Sequence, residues 1–159
     1  MKYKSIFVSD VHIGLKYSRV NELVEFLKNN ECETLYLVGD IIDGWALCRK
    51  WQWNIDYNLF IQKMLRKARR GTKIVYLTGN HDEFLRSFGS SLDFGNIEIK
   101  NEVIHISPNG KRYLVIHGDI FDGILSSTKF ISHIGSFLYD VILSMNSVVN
   151  KVRSWFGMD

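Results

Sequence analysis

The residues best able to do chemistry in this 159-residue chain stand in four short stretches. They are Asp10-Val11-His12, Gly39-Asp40-Ile41-Ile42-Asp43, Gly79-Asn80-His81-Asp82 and His117-Gly118-Asp119. Carboxylate, imidazole and amide oxygen are hard-to-borderline donors that suit divalent Mn, Fe, Zn or Co; thiolate is missing from the set, which argues against a purely structural zinc. The donors outnumber what one ion needs, and this predicts two ions sharing a carboxylate. Each stretch alone is a common turn, but the tetrad Gly-Asn-His-Asp is expected only about once in a thousand chains of this length.

These stretches follow periodic segments that would have to position them. Tyr3 to Ser9 and Thr34 to Val38 are β-branched and aromatic runs. Between them Val20, Leu23, Val24 and Leu27 keep helical spacing, so the order reads strand, helix, strand. A second helix, Tyr57 to Arg70, ends at Gly71 and leads into a strand from Lys73 to Thr78. Strands alternating with helices imply parallel pairing and right-handed crossovers. Ile97 to Ile99, Glu102 to Ile106 and Arg112 to Ile116 are further strands, the last two joined through Pro108-Asn109-Gly110 as a hairpin. The fold class is therefore α/β with mixed sheet pairing, and ligands of such sheets bind beyond the carboxyl ends of the strands.

From Phe130 onward apolar residues recur at Ile134, Phe137, Val141, Met145, Val148, Val152 and Trp155. That spacing predicts an amphipathic helical segment over 124–159, interrupted near Gly135, acting as a lid, a packing segment or a peripheral membrane anchor. His133 lies on its polar row. No internal repeat or linker separates this segment, and the whole of 1–159 reads as one domain.

Composition is that of a globular protein: 46% hydrophobic, 23% charged, one proline. A chain of this size buries about 70% of the surface that its unfolded form exposes, enough for a core without staples. Cys32 and Cys48 are too few for a disulfide framework, which favours a reducing, cytoplasmic setting. A net charge of +3 does not by itself point to nucleic acid.

The order Asp10-x-His12, Gly39-Asp40-x-x-Asp43, Gly79-Asn80-His81-Asp82, His117-Gly118-Asp119 resembles the calcineurin-like metallophosphoesterase family over about Ile6 to Asp122. The resemblance implies that fold, a sheet sandwich flanked by helices, and two divalent ions, with manganese the leading choice. It implies that Asp10 and His12 hold the first ion, that Asp40 bridges both, and that Asn80 and His117 hold the second. His81, paired with Asp82, would stand beside the scissile phosphate, with Asn80 and His81 touching substrate. Asp43 is read as orienting a ligand imidazole. Gly39 to Trp45, Arg49-Lys50-Trp51 and the run ending at Asp122 look most like the UDP-2,3-diacylglucosamine diphosphatase branch, which makes a lipid A precursor, so Asp122, Arg49 and Trp51 are expected substrate contacts. Better-known members of that branch carry Arg where this chain has His81.

Relatives also carry a final Gly-His-x-His, and this sequence reaches Asp159 without it. The expectation is an incomplete domain that lacks closing strands and self-associates through its late helix. An enzyme acting on a phosphorylated small molecule or a nucleotide-linked lipid, in the cytoplasm or against the inner membrane, is the leading reading. A nucleotide phosphodiesterase or nuclease, or an inactive remnant that only binds, are the alternatives. Lys63, Arg66, Lys67, Arg69, Arg70 and Lys73 form a basic cluster that reads first as a solvated helix face. His105 alternates with Ile104 and Ile106, which predicts a strand histidine and not a ligand.

Overall fold

The structure is a computed structural model that describes residues 1–86 and 96–121. The chain divides into two compact units, Met1–Gly118 and Asp119–Asp159. Of the second unit the structure describes residues 119–121, which belong to the 3-10 turn Gly118–Phe121. Asp122, His133 and the expected helical segment over 124–159 lie outside the described residues.

In the first unit the strands β1 (Lys2–Val8), β2 (Glu31–Val38), β3 (Lys73–Leu77) and β4 (Ile97–Lys100) form one parallel sheet in that order. The helices α1 (Val20–Asn29), α2 (Gly44–Arg49) and α3 (Ile55–Arg69) lie in the connections. The antiparallel pairing is confined to a separate two-stranded sheet, β5 (Glu102–Ile106) with β6 (Arg112–Ile116). The mixed character read from the sequence is thus divided between two sheets.

Register explains the core. Ile6, Leu35, Ile74 and Ile97 are lateral partners across the four strands and share one face. Against them α1 brings Val20, Val24 and Leu27, and α3 brings Tyr57, Phe60 and Met64. The opposite face carries Tyr36, Val75 and Leu77, covered by Val103 and Val115 of the hairpin. His105 belongs to that covering: its Nδ1 lies 3.1 Å from the Tyr36 hydroxyl, away from the chemistry-bearing turns.

Two expectations change. Between the strand and the helix read at Thr34–Val38 and Tyr57–Arg70 lies a further helix, α2, which forms because the Asp43 carboxylate accepts the Ala46 N–H at 2.7 Å and caps it. Lys67, placed with a solvated face, is buried, and its Nζ donates to the Asn30 carbonyl at 2.8 Å and to Glu31 Oε2 at 3.0 Å.

Candidate metal centre

Parallel pairing sets the carboxyl ends of β1, β2 and β3 side by side, and backbone hydrogen bonds then stitch the following turns together. The Asp10, His12 and Ile13 N–H groups donate to the Gly39, Asp40 and Ile41 carbonyls at 3.2, 2.9 and 2.9 Å. The Gly39 N–H donates to Leu77 O at 2.8 Å and the Gly44 N–H to His81 O at 2.9 Å. The turns are strained where they carry donors. Among the described residues the non-glycine positions with positive φ are Asp10 (55°), His12 (49°) and Asp40 (55°). Backbone held in this sparsely populated region costs of order 1 kcal/mol or more per residue and collects at functional sites.

Asp40 is the centre of the cluster and is buried. The Nε2 atoms of His12 and His81 each lie 3.9 Å from its Oδ2, and that of His117 lies 3.8 Å away. Its other oxygen accepts the His81 N–H at 3.0 Å. Two overlapping triads of donor atoms result, His12 with Asp40 and His81, and Asp10 with Asp40 and His117, each within 4.8 Å. Asp40 is common to both. Asp10 Oδ1 also stands 3.9 Å from His12 Nε2. Asn80 sits between Gly79, whose α-carbon faces the Asp40 carboxylate and the His117 ring, and His81. Separations near 3.9 Å are too long for hydrogen bonds. They are short enough for two donors to reach one shared cation at about 2.0–2.2 Å each, so the donor set fits divalent metal.

Asp43 supports two of the imidazoles. Its Oδ2 lies 3.2 Å from His12 Nδ1 and 3.0 Å from His81 Nδ1, leaving both Nε2 atoms directed to Asp40. Burial alone would push the Asp43 carboxyl up; the Ala46 N–H and the imidazoles of His81 and His12 outweigh it and hold the group below the ordinary aspartate range.

Asp82, expected to pair with His81, does something else. It is fully buried, with Oδ1 accepting the Gly79 N–H at 2.5 Å and Oδ2 accepting the Ile41 N–H at 3.0 Å and the Tyr76 hydroxyl at 2.6 Å. Both oxygens are engaged in tying the β3 turn to the β2 turn, so the carboxylate acts on the backbone of the site, and the one that lies 3.0 Å from His81 Nδ1 is that of Asp43.

Sequence reasoning also missed Trp45. Its half-exposed ring lies 4.3 Å, centroid to centroid, from that of His81. Trp51, the tryptophan expected from the resemblance to touch substrate, is exposed and stacks on Trp53 at 5.7 Å. The signal was present: Trp45 follows the Asp43 cap by two positions, and recognising the cap would have placed it in the first turn of a helix.

The family model for calcineurin-like phosphoesterase matches residues 3–152. A UDP-2,3-diacylglucosamine hydrolase of Histophilus somni is 27% identical over 73% of this chain and 49% of its own length. One from Wigglesworthia glossinidia brevipalpis is 29% identical over 72% of this chain and 46% of its own. A DNA polymerase II small subunit of Methanothermobacter thermautotrophicus is 28% identical over 84% of this chain and 34% of its own. The crystal structure of the Pseudomonas putida nuclease MPE is similar at 23% identity and a TM-score of 0.40, covering 65% of this chain and 50% of that one. The chain therefore spans about half the length, or less, of the curated relatives it matches. Among the described residues no helix is long and apolar enough to cross a membrane.

Proposed function

The chain belongs to the calcineurin-like phosphoesterase family, and from that premise we propose that it hydrolyses a phosphate ester or phosphoanhydride with two divalent cations. The substrate class we favour is the pyrophosphate of a nucleotide-linked lipid such as UDP-2,3-diacylglucosamine. The observation that carries this reading is the convergence of three imidazole Nε2 atoms on one oxygen of Asp40 at 3.8–3.9 Å.

Asp10, His12, Asp40, Asn80 and His117 would hold the cations, manganese being the first to try. Cations there supply charge to polarise phosphoryl oxygens and to acidify water toward neutral pH. The chain's own groups do the rest. Asp43 fixes the proton of His81 at Nδ1 or, when the ring is charged, stabilises it. His81 Nε2, facing the cluster, hydrogen bonds a phosphoryl oxygen or hands a proton to the leaving oxygen. The exposed face of Trp45 offers a stacking surface for a base or another planar group beside the phosphate. Arg49 ends α2 one turn after Trp45, on the same side of the helix, where a guanidinium suits a phosphate. Hydrolases named for UDP-2,3-diacylglucosamine among the relatives support this substrate class.

The test is turnover by the full chain with added Mn2+ on three substrates: bis(p-nitrophenyl) phosphate, UDP-2,3-diacylglucosamine and single-stranded DNA. Cleavage of the first two, abolished together with metal uptake by Asp40→Ala, is expected. Cleavage of DNA with the nucleotide lipid untouched would move the substrate to the nuclease reading. No metal uptake, with turnover no higher than that of the Asp40→Ala control, would leave only a binding module.

A further inference from the structure

The outward side of α3 is unlike an ordinary solvated helix face. Tyr57, Phe60, Met64, Lys67 and Ala68 point into the core. The helical repeat therefore puts Ile55, Leu59, Gln62, Arg66 and Arg69 on the opposite side, with Leu65 beside them. Ile55 is 68% exposed and Leu65 54% exposed, and Leu59 is exposed as well. Trp51, 72% exposed, precedes this face at the same end as Ile55. Shallow grooves flank Arg66 on both sides, one lined by Gln62, Leu65, Arg66 and Arg69, the other shared with α1 through Val24 and Lys28.

Charge on this face is one-sided. Among the described residues, no carboxylate lies within ion-pair distance of Lys63, Arg66, Arg69 or Arg70. The nearby acids are otherwise engaged: Glu25 holds Lys28 at 2.8 Å and Glu31 holds the buried Lys67 at 3.0 Å. Asp56 lies in the first turn, at the far end of the helix from the arginines. Burial first, and then Lys67, lower the Lys63 ammonium from its usual range, with Glu31 opposing and Arg66 and Arg70 adding to the shift.

We propose that this face of α3 docks on an anionic lipid bilayer. Arg66, Arg69 and Arg70 would meet headgroup phosphates, while Ile55, Leu59 and Leu65 enter the boundary beneath. Exposed aliphatic side chains interleaved with unpaired cations match the two components of such a surface. A nucleic acid would reward the cations and could stack a base on Trp51, but it would not reward the exposure of Ile55, Leu59 and Leu65, three aliphatic side chains that a bilayer boundary takes up. The inference is independent of the hydrolytic reading, because none of these residues belongs to the cluster around Asp40.

The experiment is co-sedimentation of the full chain with phosphatidylcholine vesicles and with vesicles of 70:30 phosphatidylcholine and phosphatidylglycerol. Each cation near such a surface contributes about fivefold in partitioning, so Arg66→Gln with Arg69→Gln is expected to weaken binding to the anionic vesicles about 25-fold. Ile55→Ser with Leu59→Ser weakens it too, and circular dichroism checks that both exposed pairs leave the fold intact. Equal binding by wild type and the arginine pair would overturn the proposal, since contact would then arise elsewhere in the chain, including residues 122–159. So would equal binding to pure phosphatidylcholine. Retention of single-stranded DNA in place of vesicles, or a concentration-dependent dimer abolished by the Leu59 change, would transfer the face to a nucleic acid or to a second copy.

Discussion

Nδ1 of His81 lies 3.0 Å from Oδ2 of Asp43, although another aspartate, Asp82, follows His81 directly in the chain. The two positions come from different strands, so the contact exists only because β2 and β3 are parallel neighbours whose turns leave the sheet at the same end. The same Asp43 carboxylate caps α2 and approaches His12. One buried side chain therefore links a helix terminus to two imidazoles that face Asp40.

Asp43→Asn separates these duties. The amide oxygen can still accept the Ala46 N–H, so the cap survives, while the negative charge that steadies both imidazoles is lost. Supporting groups of this kind are worth about 10- to 100-fold in metal affinity or activity. We expect Mn2+ binding, read by calorimetry, to weaken by that order with a small change in melting temperature. Asp43→Ala should lose about 1 kcal/mol of stability besides, the usual cost of a missing cap. Equal Mn2+ affinity in wild type and the asparagine variant would remove Asp43 from the site.

Asp82 should behave as a structural residue. Removing its carboxylate leaves the Gly79 N–H, the Ile41 N–H and the Tyr76 hydroxyl without their acceptor in a dry interior. At about 1–3 kcal/mol for each buried unsatisfied group, Asp82→Ala is expected to cost roughly 3 kcal/mol or more. Chemical denaturation measures this directly. A variant as stable as wild type, but inactive, would restore Asp82 to the catalytic role first read from the sequence.

That misreading shows what was legible and what was not. The parallel β1, β2 and β3, the helices α1 and α3 and the hairpin follow from apolar periodicity, because burial of one face imposes the period of the element. The donor residues stood out because they lie just past those strands. Which carboxylate meets which imidazole does not follow from order along the chain. Asp82 is adjacent to His81 in sequence, yet successive side chains leaving a strand diverge, and its carboxylate turns under the loop toward Tyr76. The α2 helix was hidden for a related reason. At Gly44–Arg49 it is too short to show a repeat, and its start is marked only by the cap at Asp43, whose carboxylate also approaches His12 and His81.

Gly79 tests the closeness of the centre without touching a donor. A Cβ there would collide with the Asp40 carboxylate and stand 2.9 Å from His117 Nδ1. Gly79→Ala must displace one of them, since the Asp40 backbone N would also be only 2.8 Å away. Forced overpacking of this kind costs about 1–3 kcal/mol. The expected result is a folded protein, by circular dichroism, with Mn2+ affinity reduced at least about tenfold. Undiminished affinity would show that Asp40 and His117 do not share an ion.

Tyr76 gives the fold a limit at high pH. Its phenol is pushed far above the ordinary tyrosine range, by burial first and then by the Asp82 carboxylate that accepts its hydrogen bond. The unfolded chain ionises this phenol near pH 10, whereas the native state keeps the proton. The native state then binds more protons than the unfolded one, so stability is fully present below about pH 10 and falls as pH rises beyond it. The slope contributed by this single group approaches about 1.4 kcal/mol per pH unit. Tyr76→Phe removes that slope but also removes a donor to Asp82. The substituted protein should therefore be less stable than wild type at pH 8, and its melting temperature should decline less steeply between pH 9.5 and 11, a range set by the reference value of about 10. Parallel curves over that range would mean that the phenol is not held neutral against Asp82, and that the link between the β3 turn and the β2 turn is weaker than its 2.6 Å contact implies.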